Sequence, residues 1–302
     1  MTSLRNLYIS EIKYANHLTK LKLNNNLKYI ENFLLRLGKI DKLLITDMST
    51  FSEVKSGNIV ALRIDCCNLI LKSVKLAKLL NKLNLSGTFF INHNSGYWKI
   101  DSRQSKKYVR FLNSKLKRIH AYKQEIGLHN DILGMGSDAK IEKILRDSIS
   151  YLTKLNREKI GIVSHNSCFT YGFENSEIFK EFSSTDNSYP FKQYSAQEMG
   201  VKYDANFPIP RNRAIPVKTY KQDQLRDPNF LQDYFIENPR FERGYDFEIW
   251  LAGADKWIFA DYNSKKVTHD LSSSQILDLD VFKKNLKGVI LIHPEYVSKR
   301  MI

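Results

Sequence analysis

The chain has 302 residues, 42% of them hydrophobic, which is enough for one large α/β domain or two ordinary ones. Its three cysteines, two of them adjacent, exclude a disulfide framework and favour a reducing, cytoplasmic compartment. The formal net charge of +15 indicates attraction to anions, although the lysines are spread over most predicted helices. No window has the length and apolar composition of a membrane span, and the N-terminus lacks the apolar stretch of a signal peptide.

Residues 1–50 differ in composition from the rest of the chain and carry no recognisable chemistry. Residues 21–37 have a helical pattern rich in lysine and asparagine, and residues 41–50 lead into the first strand. We therefore predict an N-terminal helical extension over residues 1–50, packed outside a main domain of residues 51–302.

Strand-like and helix-like runs alternate from residue 59 onward, which is typical of a mainly parallel sheet. Seven predicted strands with helices between most of them indicate a barrel or partial barrel. Residues 207–248 contain five prolines and break the alternation, so we predict a rim insertion there. The predicted strands are 59–64, 87–91, 125–128, 160–163, 201–203, 257–260 and 288–292, and the clearest helices are 69–83, 106–122 and 140–155.

Reactive side chains follow the predicted strands. The first strand ends in Asp65, Cys66 and Cys67, and four of the seven histidines directly follow later strands. The carboxyl ends of parallel strands meet at one edge of a sheet, where α/β folds place their sites. Imidazole, thiolate and carboxylate are ligands of divalent zinc, iron and manganese, so the pattern predicts a metal site for assisted hydrolysis. These four histidines are His93, His129, His165 and His293.

The order of these segments resembles the polysaccharide deacetylase family (the NodB-homology fold), and most of all its variants in surface-glycan biosynthesis. The resemblance covers about residues 59–296, most of the chain. Each family motif has a counterpart here: Arg63-Ile-Asp65-Cys66-Cys67 for TFDD or RHDVD, Ser86-Gly-Thr-Phe-Phe90 for ATFF, Glu125-Ile-Gly-Leu-His129 for EIG-x-H, Ser164-His165-Asn166 for MHG, Tyr203-Asp204-Ala205 for YDS, and Ile292-His293-Pro294 for LHP.

This resemblance implies a distorted (β/α)7 barrel and a metal-dependent hydrolase that removes an acetyl group from an amino sugar or glycan intermediate in surface polysaccharide biosynthesis. It implies that Asp65 is the catalytic base, that His293 is the catalytic acid and that His129 binds the metal. Asn166 and Asp204, in the MHG-like and YDS-like segments, are assigned to substrate binding.

The sequence departs from the family pattern at the metal motifs. Leu133 stands where the second histidine is usual, the arginine-proline motif is absent, and Cys67, or Cys66 in another alignment, replaces the second aspartate. One interpretation is a site rebuilt from Cys67, His129 and His165, with zinc as the expected ion. The other is a lost site in a protein that binds a glycan or an anionic carrier without hydrolysing it. The presence of the predicted base and acid favours the active interpretation.

Two further features bear on the partners. Tyr97 and Trp98 follow the second predicted strand and either stack on a sugar ring or form a hydrophobic cover. Residues 103–123 carry eight lysines and arginines without an acid between them, which fits either an anionic carrier or a solvated helix face. A nucleic-acid partner is not expected, because the sequence has no recognisable reading motif.

Overall fold

The computed structural model describes residues 27–98, 106–135, 138–165, 174–183, 191–206, 244–253 and 256–294. Within these ranges, ten strands form one sheet. They are β1 (Leu44–Thr46), β2 (Ile59–Cys66), β3 (Thr88–Asn92), β4 (Glu125–Asn130), β5 (Ile160–Ser164), β6 (Val201–Asp204), β7 (Phe247–Gly253), β8 (Lys256–Asp261), β9 (Lys266–Leu271) and β10 (Lys287–Ile292).

The helices pack around this sheet and include short ones at loops. They are α1 (Leu27–Leu37), α2 (Met48–Glu53), α3 (Ile70–Lys82), α4 (Lys106–Ala121), α5 (Asp138–Asn156), α6 (Ala196–Met199) and α7 (Ser273–Leu277). Four 3-10 turns span Ile132–Gly134, Asn175–Ile178, Lys180–Phe182 and Asp280–Lys283. No helix in the described ranges is both long and apolar enough to cross a membrane.

The strand order is β6-β5-β4-β3-β2-β10-β7-β8-β9, and the seven strands from β6 to β7 are parallel to their neighbours. β8 and β9 extend this sheet as an antiparallel meander. β1 pairs with the first half of β2, and β3 joins β2 further along at Arg63. The predicted α/β class with a mostly parallel sheet is confirmed, and closure into a (β/α)7 barrel remains a prediction.

One strand of the parallel series differs from the sequence prediction. Residues 257–260 lie in β8, which is antiparallel to β7. The strand that takes its place in the parallel series is β7, which pairs with β10. β7 begins inside the predicted rim insertion of residues 207–248. Both β-strands of this hairpin are apolar and aromatic, so the pattern alone does not reveal which one joins the parallel series. The remainder of the predicted insertion, residues 207–243, lies outside the described residues.

In the described part of the N-terminal segment, α1 and α2 contribute buried side chains to the core. Ile30 and Phe33 of α1 are fully buried, and the Phe33 ring stacks on Trp257 with centroids 4.4 Å apart. Met48 and Phe51 of α2 are also fully buried. Residues 1–26 lie outside the described residues, and a domain boundary at residue 50 remains a prediction.

The two faces of β2 have different roles, one in packing against helices and the other towards the polar residues of the candidate site. Side chains alternate along a strand, so every second residue faces the outer helices. Val60, Leu62 and Ile64 belong to the outer core that includes α3, α4 and α5. Ile59 and Ala61 face the opposite side of the sheet, the inner side, and belong to a cluster with Phe90, Met48 and Phe51. Further along the same inner side, the apolar residues give way to Arg63 and Asp65.

Candidate metal centre

Cys67, His129 and His165 converge at the carboxyl edge of the sheet. Their ligand atoms all lie within 4.8 Å of one another. The Cys67 sulfur is 3.7 Å from His129 Nδ1 and 3.8 Å from His293 Nδ1. These side chains come together because β2, β4, β5 and β10 run in the same direction, and each residue lies at or just after the end of its strand.

The two adjacent cysteines point in different directions. Cys66 is fully buried in the outer core, whereas Cys67 is partly buried beside the two histidines. Strand alternation accounts for this separation, because Cys66 continues the outward series of Leu62 and Ile64. The sequence leaves open two alignments, with either Cys67 or Cys66 in the place of the second aspartate. In the structure it is the Cys67 thiol that lies next to the histidines.

Asp65 is held by a two-pronged contact with Arg63. Arg63 Nε donates to Asp65 Oδ1 at 2.9 Å, and Arg63 Nη2 contacts Oδ2 at 2.6 Å. Arg63 Nη1 donates to Asn206 Oδ1 at 2.7 Å, which fixes the guanidinium. Burial alone would raise the pKa of Asp65, but Arg63, with His129 nearby, holds it well below its usual range. Asp65 is therefore an oriented, ionised carboxylate, and Arg63 is a site residue that the sequence analysis did not assign.

His129 is presented to the cluster as a neutral imidazole. Its side chain is almost completely buried, and this burial lowers its pKa well below the ordinary value, although the Asp65 carboxylate opposes the shift. Nδ1 faces the Cys67 sulfur, and Nε2 lies 3.7 Å from Asp65 Oδ2. A neutral imidazole has a lone pair available for a metal ion.

His165 lies across from His129, with ring centroids 4.7 Å apart and planes at 82°. Its backbone N–H donates to the Asn130 carbonyl at 2.9 Å, and its carbonyl accepts from Asn175 Nδ2 at 3.0 Å. Its Nδ1 is 3.3 Å from Asp131 Oδ2. Hydrogen bonds to its backbone N–H and to its carbonyl thus fix the position of His165.

Asn175 organises the turn in which the family pattern would place a second histidine. Its Oδ1 accepts from the Leu133 N–H at 2.8 Å, and its carbonyl accepts from Asn130 Nδ2 at 2.9 Å. Leu133 lies in the 3-10 turn after β4, and it supplies no ligand atom to the cluster. A single asparagine in a loop gives no sequence signal for this role, because its partners are distant in the chain.

The residues predicted to bind substrate are placed as follows. Tyr97 is 2% exposed, and its hydroxyl donates to the Cys66 carbonyl and accepts from the Asn92 N–H. Trp98 is 5% exposed, a burial that fits the hydrophobic-cover interpretation. Asp204 is buried and accepts from the Asn206 N–H at 3.0 Å, and Asn166 lies outside the described residues. Substrate contact by any of the four remains a prediction.

The donor set fits a divalent transition metal. A thiol and two imidazoles are the soft and borderline ligands that zinc prefers, and three protein ligands leave a position for a small molecule. An ionised carboxylate and a further histidine lie beside the same three residues. The arrangement can therefore combine a metal ion with groups that accept and donate protons.

No family model and no curated protein matches this sequence. Among solved structures, a CE4 family pseudoenzyme from Bacillus anthracis matches with 10% identity and a TM-score of 0.34, covering 81% of this chain and 57% of that chain. A peptidoglycan deacetylase from Bacillus subtilis matches with 18% identity and a TM-score of 0.25, covering 36% of this chain and 48% of that chain. A chitin deacetylase from the fungus Colletotrichum lindemuthianum matches with 14% identity and a TM-score of 0.31, covering 78% and 86%.

The chain thus spans about half the length of the first two of these structures. Because all three TM-scores are below 0.5, the likeness carries no inference about the activity of this chain.

Proposed function

We propose that this protein is a metal-dependent hydrolase that removes an acyl group, such as acetyl, from an amino sugar or glycan intermediate. The observation that supports this proposal is the cluster of Cys67, His129 and His165 beside an ionised Asp65 and a second histidine, His293. The series of deacetylase-like motifs in the sequence supplies the substrate class.

The metal would be held by the Cys67 thiolate and the imidazoles of His129 and His165, with zinc as the proposed ion. A divalent ion in this position supplies Lewis acidity, which polarises an acyl carbonyl and makes water a stronger nucleophile. The protein's own contribution begins with Asp65, whose ionised carboxylate accepts a proton from the attacking water. Arg63 orients that carboxylate and keeps it ionised.

His293 supplies the second proton transfer in this proposal. It follows β10, the strand adjacent to β2, and its Nδ1 lies 3.8 Å from the Cys67 sulfur. Unlike His129, it is only partly buried, so it can exchange protons with solvent between turnovers. The protonated imidazole gives its proton to the leaving amine as the C–N bond breaks, and Asp65 then releases to solvent the proton that it took from water.

The substrate is proposed to belong to surface polysaccharide biosynthesis, on an anionic carrier and in the cytoplasm. The carrier would be attracted by the exposed cations of α4 and the turn after it, among them Arg110, Lys117 and Lys123. The sequence has no acidic residue between positions 106 and 123. Such an attraction is electrostatic and weakens with added salt.

The decisive test measures bound metal and turnover in the same preparation. Protein purified without a histidine tag is analysed for zinc, iron, cobalt and nickel, and is then assayed on N-acetylated amino sugars and their oligomers. We expect near-stoichiometric metal and acetate release. In Asp65→Asn the metal should remain, whereas turnover should fall by roughly 10²- to 10⁴-fold, because an amide cannot accept the proton.

An unfolding measurement must accompany Asp65→Asn, since the substitution also leaves the buried Arg63 guanidinium without its anion. Glycan binding without acetate release would contradict the hydrolase and indicate the alternative, a non-catalytic glycan-binding protein. A metal-free protein that cannot be reloaded would also overturn the proposal.

A further inference from the structure

We propose that Asp131 is a positioning residue that fixes the tautomer of His165, so that His165 presents Nε2 to the metal. This inference rests on the metal centre of the proposed function, and it concerns binding of the ion rather than catalysis. No family motif quoted above includes Asp131, which lies two residues beyond the metal-binding histidine of the EIG-x-H segment.

The first observation is the contact between the two side chains. Asp131 Oδ2 lies 3.3 Å from His165 Nδ1, and Asp131 is only 7% exposed. The same oxygen accepts a hydrogen bond from Asn94 Nδ2 at 2.9 Å. A carboxylate accepts hydrogen bonds only, so a neutral His165 places its single ring proton on Nδ1 to face it. In that tautomer Nε2 is the unprotonated ring nitrogen, the form in which an imidazole binds a metal ion.

The second observation is that the backbone of Asp131 is also held by a hydrogen bond. Its backbone N–H donates to His93 Nε2 at 3.0 Å, and His93 Nδ1 lies 3.2 Å from Ser148 Oγ. Burial lowers the pKa of His93 to about 4, so this imidazole is neutral at physiological pH. Since Nε2 accepts from the backbone, Nδ1 carries the proton and donates to Ser148 on α5. The chain Ser148–His93–Asp131–His165 therefore connects the helical layer to the metal cluster.

The third observation is that the other histidine ligand has an equivalent arrangement with the opposite nitrogen. His129 turns Nδ1 to Cys67 and Nε2 to Asp65. Each of the two histidines thus has one ring nitrogen near a carboxylate oxygen, at 3.7 Å for His129 and 3.3 Å for His165. Outer partners of this kind orient ligand histidines, and their loss typically weakens metal binding about 10- to 100-fold.

The test is zinc affinity measured by competition with a chromogenic chelator. Asp131→Ala should weaken zinc binding by roughly 10- to 100-fold, and Asp131→Asn should retain part of the affinity, because its amide oxygen still accepts from Nδ1. His165→Ala should lose binding further than either. Asn94→Ala is the matched control, since it removes the other partner of the same oxygen but leaves the carboxylate, and it should bind zinc like the unchanged protein.

Two readouts separate positioning from a general structural effect. In the zinc-loaded protein, ¹⁵N NMR should show His165 protonated at Nδ1, and this signal should shift in Asp131→Ala. The thermal midpoint of the metal-free protein should be similar in Asp131→Asn and Asn94→Ala. If Asp131→Ala and Asp131→Asn bind zinc normally while His165→Ala does not, this inference fails and the metal centre stands. If the unchanged protein binds no zinc, both fail.

Discussion

At the scale of single residues, Glu125 places a partly buried carboxyl group at the opposite end of the sheet from the metal centre. Its Oε2 accepts from the Ser49 N–H at 3.1 Å and from the Thr88 hydroxyl, and its Oε1 accepts from the Tyr203 hydroxyl at 2.8 Å. Burial raises the pKa of Glu125 to about 7, against the lowering effect of these hydrogen bonds. The carboxyl group therefore ties α2 to the starts of β3 and β4, and it titrates near neutrality.

This site makes stability depend on pH in a defined direction. Because the folded-state pKa lies above the ordinary glutamate value of 4.5, the folded protein binds more protons than the unfolded chain between about pH 4.5 and 7. The stability contributed by Glu125 is therefore greatest below pH 4.5 and is lost as the pH rises towards 7, with an upper limit of roughly 3 kcal/mol.

Glu125→Gln should remove this dependence, and chemical unfolding at several pH values measures it. The buried histidines His93 and His129 have lowered pKa values and contribute with the opposite sign, so the comparison is the difference between the two proteins. The free energy of unfolding of the unchanged protein minus that of the variant should fall between pH 4.5 and 7. A constant or rising difference would contradict the raised pKa of Glu125.

At the scale of elements, glycines allow large rings to fill the inner side of the sheet. A Cβ at Gly161 on β5 would overlap the ring of Tyr203, and a Cβ at Gly127 on β4 would come 2.6 Å from Phe90 Cδ1. Both rings are buried, and the Tyr203 hydroxyl also donates a hydrogen bond to Glu125. The inner side therefore cannot accommodate even a methyl group at these positions without moving a ring.

We expect Gly161→Ala to destabilise the fold by about 1–3 kcal/mol or more, because the Tyr203 ring must leave its position. Gly96→Ala is the matched control, since nothing lies within 4 Å of a Cβ at that position. Thermal unfolding of the two variants measures the difference. Equal thermal midpoints for the two variants would mean that the Tyr203 ring moves without a loss of stability.

The same elements show what the sequence could and could not predict. β2, β3, β4 and β5 are predicted to within two residues at either end, because each is a short apolar run bounded by turn residues. β7 was missed, since prolines and aromatics before it obscure the strand pattern. Asp131 and Asn175 were not assigned to the site, because their roles depend on contacts with residues far away in the sequence.

At the scale of the whole molecule, the segment before β2 closes the inner side of the sheet. β1 pairs with β2, and α2 inserts Met48 and Phe51 into the inner apolar cluster. Lys287 Nζ of β10 donates to the Phe51 carbonyl at 3.2 Å and lies 4.5 Å from the centre of the Phe51 ring. β10 is therefore anchored to α2, a helix that precedes β2 in the chain.

We expect a chain lacking residues 1–53 to lose cooperative folding, because it exposes the inner cluster and removes the strand partner of β2. Phe51→Ala in the complete chain should lower the free energy of unfolding by about 3–5 kcal/mol. Substitution of the exposed neighbour Thr50 by alanine is the control and should change it by less than about 1 kcal/mol. A stable, cooperative chain of residues 54–302 would show instead that the main domain begins after α2.

The alternation along β2 has a consequence for how this protein can change over generations. Val60, Leu62, Ile64 and Cys66 serve the outer core, whereas Arg63, Asp65 and the following Cys67 face the reactive cluster. A substitution on the inner series alters the chemistry but leaves helix packing intact, so selection can act on the two sets almost independently. The side chain at position 67 can therefore change over generations while the packing of the outer core persists.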